Sequence, residues 1–129
     1  MADYTPIFTG GTAPFTMQAS ATIVGGTPVA SSGVGTVATA AADSTVVLGI
    51  AAHDAASGAK VTVLPIDGAT HEVAVQAAGT VTAGDGVVVG TSGTVKTATI
   101  ATAAAAGTLI GIAETTATAP ALVRFFGRN

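Results

Sequence analysis

Short runs such as Val61-Thr62-Val63, Val73-Ala74-Val75 and Val123-Arg124-Phe125 alternate apolar with small or polar positions, and Gly, Asp and Ser separate them along the whole chain. Alternation at a period of two is the mark of a half-buried strand, and apolar spacing at the helical period is nearly absent. The pattern predicts an all-β fold. Two alanine-rich stretches, Ala38 to Ala42 and Ala101 to Ala106, favour helix by propensity. Their short length and the interspersed threonine limit them to loops or one short helix.

The pattern also repeats. Thr22-Ile23 with Gly26 and Val29 returns as Thr80-Val81 with Gly84 and Val87, and Gly35-Thr36-Val37 returns as Gly93-Thr94-Val95, all 58 positions on. The register then slips by four. Leu48-Gly49-Ile50-Ala51 matches Ile110-Gly111-Ile112-Ala113, and Val61 and Val63 match Val123 and Phe125, at an offset of 62. Residues 22–63 give 14 identities with their counterparts. Biased composition alone supplies about five, so the repeat is a duplication and not an accident of usage.

Two units of about four short strands each follow, roughly residues 21–64 and 79–126, joined by a hairpin-like stretch around Val73 to Ala77. Two units are too few for a solenoid. A small pseudo-symmetric barrel or sandwich, in which each unit covers the other's apolar face, suits them better. The turns Val24-Gly25-Gly26-Thr27 and Ala83-Gly84-Asp85-Gly86 predict tight reversals with glycine at positive φ. Residues 1–20 fall outside the repeat and read as an extended N-terminal arm, ahead of a single β domain over 21–129. Tyr4, Phe8 and Phe15 with Pro6 and Pro14 set large anchors there on a Gly10-Gly11 backbone. The other two aromatics, Phe125 and Phe126, lie at the opposite end, so the aromatic complement is confined to the termini. Mid-chain core filler is the usual use of an aromatic, and its absence points to contacts made by the ends.

Composition narrows the classes. Ala, Thr, Gly and Val fill 29, 22, 17 and 16 of the 129 positions, and charged residues are only 9%. A typical soluble domain carries about 25%, so much of this surface is expected to be covered by other protein. Small side chains bury little area per residue against a full backbone entropy cost, which favours assembly over a lone monomer. Gly, Thr, Ser or Asp interrupts every apolar run before about 18 residues, so no spanning helix is expected and no membrane partner. The segment Met1-Ala2-Asp3-Tyr4-Thr5-Pro6 lacks a basic region followed by an apolar one, so no cleaved signal is expected. With no cysteine, disulfides, thiolate metal sites and thiol nucleophiles are excluded. Net charge is −3 and the only cations are Lys60, Lys96, Arg124 and Arg128, too few for a nucleic-acid partner.

Candidate chemistry is sparse. His53-Asp54 and His71-Glu72 are the only histidine-carboxylate neighbours, and adjacent strand residues point to opposite faces, so neither pair converges on a metal. Ser44, Ser57, His53 and Asp43 contain the residue types of a triad without a nucleophile elbow. Gly33-Val34-Gly35 and Gly84-Asp85-Gly86 lead into strand-like sequence and not into a helix N-terminus, so they are turns and not phosphate loops. Asp3, Asp43, Asp67 and Glu114 stand singly. No catalytic, metal or cofactor residue is assigned, and neither an enzyme nor a small-molecule substrate is expected.

The run Thr80-Val81-Thr82-Ala83-Gly84-Asp85-Gly86-Val87-Val88-Val89, then Gly93-Thr94-Val95, Ile110-Gly111-Ile112-Ala113 and Ala121-Leu122-Val123-Arg124-Phe125, resembles the capsid decoration or cement proteins of tailed bacteriophages. The first copy departs from that pattern, with Gly25-Gly26-Thr27-Pro28 where the second has Ala-Gly-Asp-Gly. The resemblance spans residues 15–126 and implies a β-clip or β-tulip fold similar to the lambda-type head decoration protein. It further implies a homotrimer on the outer surface of the virion capsid, assembled in the host cytoplasm, that clamps neighbouring major capsid protein subunits. An arm of that kind adds as a strand to a sheet edge, which makes Tyr4, Pro6, Ile7, Phe8 and Phe15, with Phe125 and Phe126, the expected capsid or subunit interface. Two alternatives compete with it. One is a fibre, tail or surface-layer structural protein, of the same composition but polymerising openly. The other is a carbohydrate- or ice-binding β module, which the Thr content suggests and the scarcity of Thr-x-Thr pairs and mid-chain aromatics opposes.

Overall fold

The computed structural model describes residues 14–66 and 72–128. In the first half, strands β1 (Phe15–Ala19), β2 (Pro28–Gly33), β3 (Thr36–Thr39), β4 (Val47–Ala51) and β5 (Lys60–Pro65) form a closed barrel in the order β1-β3-β2-β4-β5, with β5 returning to β1. In the second half, β6 (Glu72–Gln76), β8 (Gly86–Val89), β9 (Val95–Ala98), β10 (Gly111–Ala113) and β12 (Leu122–Gly127) form a sheet in the order β6-β12-β10-β8-β9. A small ribbon of β7 (Thr80–Val81) and β11 (Ala117–Thr118) lies beside it. The expected all-β barrel is present in the first half, and the second half repeats it as a sheet whose outer strands meet only at the bridge Ala77↔Val95.

The duplication holds bond for bond. Phe15 faces Val63 and Met17 faces Val61 in the first unit; 58 and 62 positions on, Val73 faces Phe125 and Val75 faces Val123. Val29 lies between Thr39 and Gly49, and Val87 between Thr97 and Gly111. The bridge Ile23↔Ala55 returns as Val81↔Ala117. The parallel seam that closes the first barrel, Gln18↔Thr36 and Ala19↔Val37, returns as the single bridge Ala77↔Val95. Register is fixed because a one-residue slip sends every core side chain to the wrong face. All eight buried residues of the first core, Ala19, Ile23, Val29, Val37, Ala51, Ala55, Val61 and Val63, have their equivalents in the second.

Three expectations change. The first unit begins at Phe15 and not near residue 21, so residues 15–19 of the expected arm are a barrel strand. Val73 to Ala77 is no connecting hairpin; it is the first strand of the second unit, equivalent to β1. Nor do the units merely cover each other's apolar face. Each has its own core, and the second core extends across the junction to take in Ala30, Ala40, Ile50 and Ile66 of the first. The physical reason is that the first sheet closes on itself and packs its core inside, leaving only the barrel ends to be covered.

The four extra residues in the second unit accompany α1 (Ile100–Ala106), the short helix allowed for in the alanine-rich stretch. Gly107 ends it at φ 77° with its N–H directed to Ala103 and Ala104 carbonyls, the left-handed stop that glycine takes without a Cβ clash. Seven residues do not sustain a helix alone. This one lies on β8 with Ala103 buried. Both turn glycines behave as predicted, Gly26 at φ 82° and its equivalent Gly84 at φ 93°.

Candidate interaction surface

The chemistry-bearing side chains are used for structure, and the duplication shows how. His53 Nε2 accepts the backbone N–H of Thr62 at 3.2 Å, so the ring proton sits on Nδ1, 2.9 Å from the Asp54 carbonyl oxygen. At the equivalent place in the second unit, Thr115 Oγ1 accepts the N–H of Arg124 at 3.0 Å. Asp54 Oδ1 accepts the N–H of Gly25 at 2.7 Å, and Thr116 Oγ1 accepts the N–H of Ala83 at 3.1 Å. A histidine and an aspartate thus do in one barrel what two threonines do in the other. Any side-chain acceptor of suitable reach serves, because the strand-end amide is the group that needs a partner.

The remaining candidates stay apart. Ser57 Oγ donates to the Ser20 carbonyl at 3.2 Å, and Ser44 Oγ accepts from the Val46 N–H at 3.3 Å, whereas His53 bonds to the Thr62 amide and the Asp54 carbonyl. Asp43 pairs with Lys96 at 3.1 Å across the junction between the units. Asp85 Oδ2 accepts from the Thr82 N–H at 2.9 Å and from Thr97 Oγ1 at 2.8 Å. These two bonds hold the Asp85 carboxyl below its ordinary value, the Thr82 amide contributing most. His71 lies outside the described residues, and Glu72 is placed only by its backbone in β6. Among the described residues no three His, Asp or Glu side chains come together, and no helix is long and apolar enough to cross a membrane.

What the surface offers is shape and apolar contact. A groove of about 600 Å³ runs between the barrels, lined by Val24, Gly25, Gly26, Thr27 and Thr39 of the first and Ala74, Gln76, Ser92, Gly93 and Leu122 of the second. No lining residue is charged. Val24 and Leu122 are 60% and 61% exposed. Leu122 stands where the first unit has Lys60, each opposite a glutamine of the neighbouring strand.

The aromatic residues singled out in the sequence divide three ways. Tyr4, Pro6, Ile7 and Phe8 lie outside the described residues. Phe15 is half-buried against the first core from the end of β1. Phe125 is fully buried in the second core, so it belongs to the barrel interior and not to an interface, whereas Phe126, next in the strand, is 39% exposed opposite Ile112. Strand alternation alone separates these neighbours.

No family model and no curated protein matches the sequence. Among solved structures, the head fiber gp8.5 N base of bacteriophage phi29 matches with a TM-score of 0.67 and 21% identity, over 90% of this chain and 93% of that one. Coverage of that extent takes in both barrels. The likeness is one of fold.

Proposed function

We propose that this chain is a structural virion protein of a tailed bacteriophage that attaches to the outside of the head and makes its contacts through main-chain edges and apolar side chains. The single observation that carries the reading is the fold likeness to a phage head fiber base over nine-tenths of the chain. The low charge and the uncharged groove suit a partner that is protein and not a substrate, nucleic acid or membrane. The partner is the major capsid protein, the assembled form a homotrimer, and the role the stabilisation of contacts between capsid subunits. Residues 1–13, with Tyr4, Pro6, Ile7 and Phe8, are the arm that reaches the capsid by strand addition, with Pro6 limiting how much of it can pair. No catalytic role is assigned.

A second reading, the base of a head fiber, is favoured by what the similar structure is said to be. The two differ in what the bound protein carries and agree on where it sits. Co-sedimentation with expanded heads lacking the protein tests both. Wild type is expected to load to a fixed number of copies per head, and a chain without residues 2–13 to load less at equal concentration. Failure of the full-length protein to co-sediment overturns the head-associated reading. Equal occupancy by the truncated chain overturns the role of the arm.

A further inference from the structure

The two units differ in how one seam is sealed. In the first, β1 pairs in parallel with β3 at Gln18↔Thr36 and Ala19↔Val37, and the Gln18 N–H donates to the Gly35 carbonyl at 3.2 Å. In the second, β6 meets β9 at the single bridge Ala77↔Val95, backed by the Ala78 N–H on the Val95 carbonyl at 2.8 Å. The counterpart of the Gln18 bond, from the Gln76 N–H to the Gly93 carbonyl, is not made. Ahead of the bridge the seam is open. The Ala77 N–H donates to the Ala121 carbonyl at 3.0 Å, and the same register runs through β6 and β12. Antiparallel bonds alternate in direction, so Val73, Val75 and Ala77 bond to β12 while Ala74 and Gln76 turn their main-chain groups to the open side. Among the described residues, the Ala74 N–H and C=O and the Gln76 N–H have no partner there.

Ala74 and Gln76 line the groove of about 600 Å³ between the units, together with Ser92 and Gly93 across the seam and Gly26 and Thr27 of the first unit. Past Glu72 no charge or proline guards this strand, and an open edge of that kind invites pairing. The chain itself has a segment to cover it. Residues 1–13 lie ahead of the described structure, which they join close to the groove. Phe15 faces Val63, Val63 faces Ala51, and Ala51 bonds to Gly26 and Thr27 on the groove wall. Three strand spacings put Phe15 within about 15 Å of that wall. The chain from Thr9 to Phe15 reaches about 20 Å when extended. The longest run of strand-forming residues in the segment is Ile7-Phe8-Thr9, set between Pro6 and Gly10-Gly11. It is uncharged, as the groove is, and a strand of three residues is what two edge residues two positions apart can pair with.

We propose that in the free protein Ile7-Phe8-Thr9 of the chain's own N-terminal arm adds as a strand to the open edge of β6 and fills the groove between the units. Main-chain bonds to Ala74 and Gln76 supply the affinity, and the exposed side chains of Val24 and Leu122 supply apolar contact for Ile7 and Phe8. Gly10-Gly11 gives the backbone the freedom to turn from the groove into β1. Storage there also keeps the edge from pairing with other copies. This is the segment assigned above to the capsid, so it leaves the groove before it reaches a capsid edge. The inference concerns the protein in solution and stands or falls separately from attachment to a head.

Amide hydrogen exchange followed by NMR, on the full chain and on a chain lacking residues 2–13, is the test. The Ala74 and Gln76 amides are expected to exchange at least about tenfold more slowly in the full chain and to lose that protection in the truncated one. The Gln18 and Ala77 amides, bonded to Gly35 and Ala121 within the fold, are expected to stay equally slow in both and so report that the units are folded. Ile7→Pro combined with Thr9→Pro in the full chain removes two strand N–H groups and is expected to match the truncation. That variant takes the place of the truncated chain if the latter fails to fold. Fast exchange at Ala74 and Gln76 in the full chain overturns the proposal. Equal protection with and without the arm shows that another element covers the edge, and overturns it as well. Protection that falls on dilution assigns the strand to a second copy and overturns the arrangement within one chain. Loss on truncation with no effect of the two prolines overturns Ile7-Phe8-Thr9 as the segment that pairs.

Discussion

The two barrels share their pairing registers and differ in what fills and flanks them. Val63 in the first core is replaced by Phe125 in the second, and the closing seam pairs two residues in the first and one in the second. Gly49 and Gly111 stand at the same place in both, where a Cβ on the first would strike Val63 and the Leu64 carbonyl, and on the second Phe125 and the Phe126 carbonyl. One framework thus accepts either side chain, because the adjoining strand carries no side chain at the point of closest approach. Interior size was free to diverge between the copies, whereas register and the glycine at the crowded position were retained.

The largest expected effect comes from emptying the two cores at the same place. Phe125→Ala is expected to cost about 3–5 kcal/mol and Val63→Ala about 1.5–3 kcal/mol, from lost transfer energy plus the cavity left behind. Denaturant titration followed by circular dichroism measures both. Since Ala40, Ile50 and Ile66 of the first unit belong to the second core, each variant should unfold in one transition. Two separate transitions would show the barrels to be independent.

An intermediate effect sharpens the equivalence of His53 and Thr115. Removing the acceptor by His53→Ala should cost about 1 kcal/mol, the worth of one hydrogen bond to a backbone amide. Replacing it by the residue the other barrel uses, His53→Thr, should stay within about 0.5 kcal/mol of wild type. Matched thermal melts compare the two, and an equal loss in both would mean that the imidazole has a further role.

The smallest effect is on pH dependence. Asp85 occupies the position of Thr27, which in the first barrel donates its hydroxyl to the Val24 carbonyl at 2.6 Å. The folded-state value of Asp85 lies below its ordinary 3.8. Its contribution is therefore fully present above the ordinary value and fades as the pH falls through the lowered one. Urea midpoints of wild type and Asp85→Asn should differ by a constant amount above about pH 5 and converge below about pH 4. Parallel curves across that range would remove Asp85 as a titrating support of its turn.

Much of this architecture is legible in the chain because pairing at a period of two leaves a trace that a duplication doubles. The offsets of 58 and 62 are the offsets of the paired strands, and the slip between them falls at α1. The first strand of each unit escapes notice because Phe15 and Val73, and Met17 and Val75, share only apolar character. The signal was nevertheless present: carrying the offset of 58 backward aligns Gln18-Ala19 with Gln76-Ala77. Phe125 and Phe126 look alike in sequence, and only the direction of β12 sends one into the core and the other to solvent.

By itself the sequence determined that the chain is β, that it is doubled, and where its turns reverse, since alternation, repetition and glycine are local properties of the residues. Tertiary structure alone decided that the first half closes into a barrel and that the second core reaches across the junction to cover Ala30, Ala40, Ile50 and Ile66 of the first. Equivalent residues have no difference in pattern to foretell which copy will be covered, because burial at a junction depends on what lies across it.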